Sequence, residues 1–184
     1  MTHFEYIAIA GSIVFALTLG RLVTAAPYVF SRALFEPLFA AIYSSFFFLQ
    51  LVLWWVLWEM SDVPRWDFTG YVLFIATPLA YYLCAYVLVS DDPKTITSWA
   101  DHYRQVARIF SGTLAFAFAV GTIRVQYSGE LDVFTLFTFT LPTIAVFVLA
   151  AIWSNRFTDG LVAVALLIFS IMRTLGSGVV LGTE

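Results

Sequence analysis

Three arginines stand inside apolar stretches of this sequence, and they pose its first chemical question. Arg173 lies about twelve residues into the last stretch, ~18 Å along a helix that rises ~1.5 Å per residue, and so falls near mid-membrane. Arg21 stands in the second half of the first stretch and Arg124 near the end of the fourth. A charge at the centre of a membrane helix costs at least ~2.5–3.5 kcal/mol on insertion scales, so such residues are the strongest functional pointers in a chain of this kind. Glu5, Glu36 and Glu59 all stand near the ends of stretches, which leaves the interior with an excess of positive charge.

That imbalance has two readings. In the first, Arg173, with Arg124 and Arg21, faces a polar cavity and stabilises a small anion, because a planar guanidinium donates two parallel hydrogen bonds to a carboxylate or phosphate. Gln50 and Thr138 are expected to complete the site, with Thr135, Thr140, Thr143, Thr174 and Ser177 as further polar candidates. In the second, the arginines are structural. Arg124 then reaches outward to Glu5, Glu59 or Glu130, Arg21 snorkels towards the opposite surface, and Arg173 is satisfied by carbonyls and hydroxyls within the bundle.

Other chemistries find less support. Hydrolysis or group transfer needs a positioned base, nucleophile or metal. His3 and His102, the two histidines, stand outside the apolar stretches, and Ser44, Ser45 and Ser111 have no base in view. A non-enzymatic role is therefore expected. The same histidine placement excludes a bis-histidine haem, and Lys94, in a connection, argues against a retinal Schiff base, so no cofactor is expected. The single cysteine, Cys84, makes neither an internal disulfide nor a cysteine metal cluster. A net charge of −3 with no basic face gives no nucleic-acid footprint. No helix repeats arginine at a three-residue interval, which argues against a voltage sensor.

The elements that must position these residues are six apolar stretches at 5–28, 38–59, 70–89, 109–127, 133–153 and 161–182. The chain is 61% hydrophobic, with a mean hydropathy of +0.91. Each stretch approaches the ~20 residues a helix needs to cross ~30 Å of hydrocarbon. Lipid cannot satisfy backbone N–H and C=O groups, so the spans must be helices or a closed barrel. The stretches lack the alternation of barrel strands, which decides for helices. The expected fold is an all-α integral membrane protein, one domain over 1–184 formed by a bundle of six transmembrane helices. The first stretch lacks a basic leader and a small-residue cleavage site, and so reads as a span rather than a cleavable signal.

Arg32, Lys94, Arg104, Arg108 and Arg156 occupy the connections after spans one, three and five, against Arg65 alone after spans two and four. Positive charge concentrates on the cytoplasmic side, so the N and C termini are expected outside. In the 90–108 connection, Ser98 and Asp101 fit a capping box. Trp99, Tyr103 and Val106 share one face there while Asp101, Arg104 and Arg108 share the other, which predicts a short cytoplasmic interfacial helix between spans three and four. Ser12, Ala16, Gly20 and Thr24 recur four apart, a small-residue face that suits contact with another helix and motivates a homo-oligomer. Trp54, Trp55, Trp58 and Trp66 read as an outer aromatic belt, and Pro78 and Pro142 as mid-span kinks.

The opening Met1-Thr2-His3-Phe4-Glu5-Tyr6, Leu49-Gln50 through Trp54-Trp55, and Trp66-Asp67-Phe68-Thr69 together resemble a family of short bacterial inner-membrane proteins. That family starts with a Met-Thr-Pro-Phe-Glu-Tyr-like segment. His3 replaces its proline, and Arg21 falls where a neutral or histidine-like polar residue is expected. The resemblance implies a bacterial inner (plasma) membrane and the six-span plan, and supplies no activity. The expected function is a small oligomeric channel or transporter that passes or binds a small anionic solute. The alternative is a non-catalytic accessory or sensory subunit of a larger membrane complex. The expected partners are the lipid bilayer, further copies of the chain and a small anion, with no nucleic acid.

Overall fold

Backbone groups in lipid can be paired within a helix, and the chain is helical throughout its long elements. A computed structural model describes residues 3–56, 67–128 and 133–178. The helices are α1 His3–Val29, α2 Pro37–Val56, α3 Phe68–Leu88, α4 Trp99–Ser128, α5 Val133–Ile152 and α6 Arg156–Gly178. Each supplies a segment long and apolar enough to cross a membrane, so the chain is a multi-pass membrane protein in contact with lipid. The distribution of polarity agrees. Phe68, Val133 and Phe157 are among many large apolar side chains exposed on the outside, while Thr18, Gln50, Ser111 and Ser170 are buried. A soluble monomer rarely exposes so large an apolar surface.

The helices start where a polar side chain precedes an apolar run. Glu36 Oε2 accepts from the Phe39 N–H at 2.5 Å, Asp67 Oδ1 from Gly70 at 2.7 Å and Ser98 Oγ from Asp101 at 3.2 Å. Asn155 Oδ1 takes both the Phe157 and Thr158 N–H groups, at 2.9 and 3.1 Å. Such caps satisfy donors that have no partner within the helix. The main packing partners are α3 with α4, α2 with α6, α4 with α5 and α1 with α3.

The structure corrects the reading of 90–108. A 3-10 turn, Pro93–Thr95, follows α3, and the segment from Trp99 onward belongs to α4, which is one helix rather than a surface helix followed by a span. The reason lies in what the aromatic face meets. Trp99 and Tyr103 are buried in protein. The Trp99 ring stacks on Phe39 with centroids 4.7 Å apart and planes 8° from parallel, and its Nε1–H donates to the Tyr28 carbonyl at 3.0 Å. His102 sits edge-on to Trp99 and places Nε2 3.1 Å from the Leu88 carbonyl. These contacts fasten the ends of α1 and α3 to the start of α4. α6 likewise starts at Arg156, ahead of the apolar stretch expected from 161.

Trp54 is half-buried, edge-on to Phe15 at 5.8 Å, whereas Trp55 is exposed; Trp58 and Trp66 lie outside the described residues. Among the described residues the small-residue face of α1 is largely uncovered, with Ser12 half-buried and Ala16, Gly20 and Thr24 exposed. The close approach falls instead at Gly11, where a Cβ would stand 2.9 Å from Cε1 of the fully buried Phe74 ring. Gly11→Ala should therefore destabilise the α1–α3 seam by ~1–3 kcal/mol, the usual range for overpacking. Thermal unfolding in detergent measures this, and an unchanged midpoint would mean that Phe74 has room to yield.

Candidate functional site

Arg124 on α4 and Arg173 on α6 line one cavity of about 110 Å³. Tyr81 and Thr77 come to it from α3, Thr122 from α4, and Thr135 and Thr140 from α5. Leu53 and Val56 at the end of α2 close part of its wall. The structure thus brings together two of the three arginines singled out in the sequence.

A local departure from α-helical geometry decides which threonines of α5 take part. Pro142 has no N–H to offer the preceding turn. Ahead of it Leu136–Thr140 is a π turn, in which the Leu141 N–H reaches back to the Leu136 carbonyl. The wider turn re-aims its side chains. Thr140 is buried and lines the cavity, with Oγ1 3.4 Å from the Thr135 carbonyl. Thr138 is exposed and does not line it, which corrects its expected place at the site. Single π turns within longer helices occur frequently at functional sites. Thr143 and Thr174 donate to carbonyls of their own helices, at 2.7 and 2.8 Å. The Ser177 side chain lies outside the described residues.

Arg21 is elsewhere. Its Nη2 donates to Asp91 Oδ1 and to the Val89 carbonyl, both at 2.7 Å, and its guanidinium lies over the Tyr86 ring, 4.5 Å from the centroid. It ties α1 to the C-terminal end of α3 and to Asp91 just beyond it. Of the carboxylates offered as arginine partners, Glu5 is exposed at the start of α1, while Glu59 and Glu130 lie outside the described residues.

Gln50 is fully buried on α2, one turn before Leu53, without itself lining the cavity, and neither of its amide atoms has a hydrogen-bond partner among the described residues. Ser111 Oγ on α4 is in the same condition. Buried polar groups are normally paired, and an unpaired one costs ~1–3 kcal/mol. Gln50→Met keeps the side-chain shape and removes the amide, so it should stabilise the protein by about that amount. A fall in the unfolding midpoint instead would show that the amide has a partner in the membrane.

The same three helices, α2, α4 and α6, also line a wider cavity of about 580 Å³ at the other end of the bundle. Its wall includes Glu36, Tyr103, Arg104, Arg108, Arg156 and Asp159. The sequence pointed to none of these as a site. Arg104 and Arg108 recur four apart on α4 and read as a solvated face, and Asp159 reads as part of a connection. The early start of α6 buries Asp159 in its first turn, where Ser154 Oγ lies 3.4 Å from its carboxylate. Thr77 and Thr122 of the first cavity were missed as well, because a threonine in an apolar run carries no signal of the direction it faces.

The Tyr127 hydroxyl donates to the Asp67 carboxylate and joins the end of α4 to the start of α3. This bond, with that from the Gly70 N–H, holds Asp67 below the usual carboxylate value. The stability it contributes is complete above the ordinary aspartate value and is lost as pH falls through the lowered one. Among the described residues, no three histidine, cysteine, aspartate or glutamate side chains converge to hold a metal ion. The chain matches no protein-family model, no curated protein and no solved structure.

Proposed function

We propose that the chain binds and passes a small anion through the membrane at the cavity shared by Arg124 and Arg173. The observation that carries this reading is the convergence of two arginines, from helices distant in sequence, on one cavity of about 110 Å³ whose wall also includes Tyr81 and four threonines. Ionisable groups at membrane depth face bundle interiors or solute pathways, because exposing them to lipid is too costly. In low dielectric their attraction for an anion is stronger than in water. The volume suits an anion of halide, nitrate or formate size, with room for little of its hydration shell. Gln50, expected at the site, does not line this cavity and is not part of the proposed pathway.

The setting is a bacterial inner membrane, as the N-terminal resemblance implies, with the arginine-rich connections in the cytoplasm. The uncovered Ala16, Gly20 and Thr24 face of α1 is where a second copy packs, since small residues let helix backbones approach in lipid. That same open face favours the second reading, an accessory subunit seated on a larger complex. The deciding experiment is anion flux into liposomes that contain the purified protein. Chloride or nitrate flux above that of protein-free vesicles supports the anion pathway. Absence of flux from folded protein removes it and leaves the accessory reading.

A further inference from the structure

The wide cavity at the opposite end of the bundle is built for a different ligand. Its volume, about 580 Å³, falls within the range of small-molecule sites and is several times that of the arginine cavity. Three guanidiniums, Arg104, Arg108 and Arg156, stand in its wall with two carboxylates, Glu36 and Asp159. Both carboxylates already accept locally, Glu36 from the Phe39 N–H at 2.5 Å and Asp159 from Ser154 Oγ at 3.4 Å. Arg104 is paired with Asp101 at 3.2 Å, whereas Arg108 and Arg156 make no ion pair among the described residues. Tyr103 lines the same cavity while 3% exposed, and its buried hydroxyl has no hydrogen-bond partner among the described residues. Its ring is fixed by Phe39 and Phe110, with centroids 5.9 and 6.5 Å away, so the hydroxyl cannot readily turn elsewhere.

A fixed, buried donor beside two unclaimed guanidiniums calls for an acceptor with several oxygens and more than one charge. A phosphate group has three strong acceptor oxygens and close to two charges at neutral pH, and guanidinium forks match its geometry. We propose that this cavity is a binding site for a phosphate group, held by Arg108 and Arg156 with the Tyr103 hydroxyl as the third donor. The group belongs to a soluble phosphate monoester or to the headgroup of an anionic lipid, since the cavity opens at an end of the bundle. The site shares no arginine with the anion cavity, so it stands or falls independently of that reading.

Calorimetry on the full chain in phosphatidylcholine nanodiscs, titrated with inorganic phosphate and with adenosine monophosphate, tests the soluble source. Nanodiscs containing phosphatidate, with retained lipid counted by native mass spectrometry, test the other. Saturable binding of either soluble probe assigns a soluble ligand, and specific retention of phosphatidate alone assigns a lipid. Arg108→Gln and Arg156→Gln, both at exposed positions, should each weaken binding about tenfold, as expected for loss of a charge-assisted hydrogen bond. Tyr103→Phe conserves the ring and should weaken it by a smaller factor. Failure of all three probes to bind, or equal binding by the wild type and the Arg108→Gln/Arg156→Gln double variant, overturns the proposal. Arg124 and Arg173 are intact in these variants, so anion flux measured in parallel keeps the two readings separate.

Discussion

Replacing Arg173 by leucine is expected to reduce anion flux in proteoliposomes to that of protein-free vesicles, while the protein still inserts and folds. The side chain is partly buried and lines the cavity beside Arg124. Its removal leaves one guanidinium where there were two. The solute then has about half the compensation for its lost hydration, and a charge entering low dielectric without compensation is excluded. Insertion should be unharmed, because the early start of α6 at Arg156 places Arg173 towards the far end of its span rather than at the centre, and leucine there removes a charge from an apolar helix. Arg173→Lys sharpens the test. It keeps the charge and loses the planar fork, so flux should fall but persist. A variant that aggregates or unfolds in detergent would instead assign Arg173 to holding the bundle together, and undiminished flux with leucine in place would sink the site.

The second large effect is on stability. Trp99→Ala should cost ~3–5 kcal/mol, the range for truncating a large buried aromatic residue. It removes a side chain that is 1% exposed, a stacked contact with Phe39 and a hydrogen bond to the Tyr28 carbonyl. Had the segment been an anchor lying in the headgroups, the same change would weaken membrane contact and barely move the unfolding midpoint. Gln105→Ala, at an exposed position nearby on α4, is the control and should stay within ±0.5 kcal/mol. Detergent unfolding of the two variants side by side measures the difference; equal midpoints would return Trp99 to the surface.

Trp99 also illustrates what a sequence discloses and what it withholds. The six spans were legible, because a run of apolar residues without alternation has one way to satisfy its backbone in lipid. The amphipathic segment that opens α4 was not, since an aromatic face at helical spacing is written identically whether it meets headgroups or a neighbouring helix. Arg124 and Arg173 could be singled out by the cost of burying charge, and their convergence follows from helix packing that no spacing encodes. Arg21 met the same criterion, yet its carboxylate partner lies 70 positions away at Asp91, away from the cavity of Arg124 and Arg173. Thr138 was misplaced for a local reason. Helical periodicity assumes 3.6 residues per turn, and the π turn before Pro142 breaks the count between Thr138 and Thr140. The wide arginine pocket was hidden because its charges come from separate connections, each of which looks solvated by itself.

Both cavities take part of their walls from α2, α4 and α6, with the near ends of these helices in one and the far ends in the other. An α-helix is stiff along its axis, so a tilt or slide imposed at one mouth arrives at the other largely undiminished. If both cavities hold ligands, one that favours a particular disposition of these three rods would change affinity at the far end. By linkage the occupant of the far end changes the first affinity by the same factor. Two sites so placed would need no wire between them, being the two ends of the same levers.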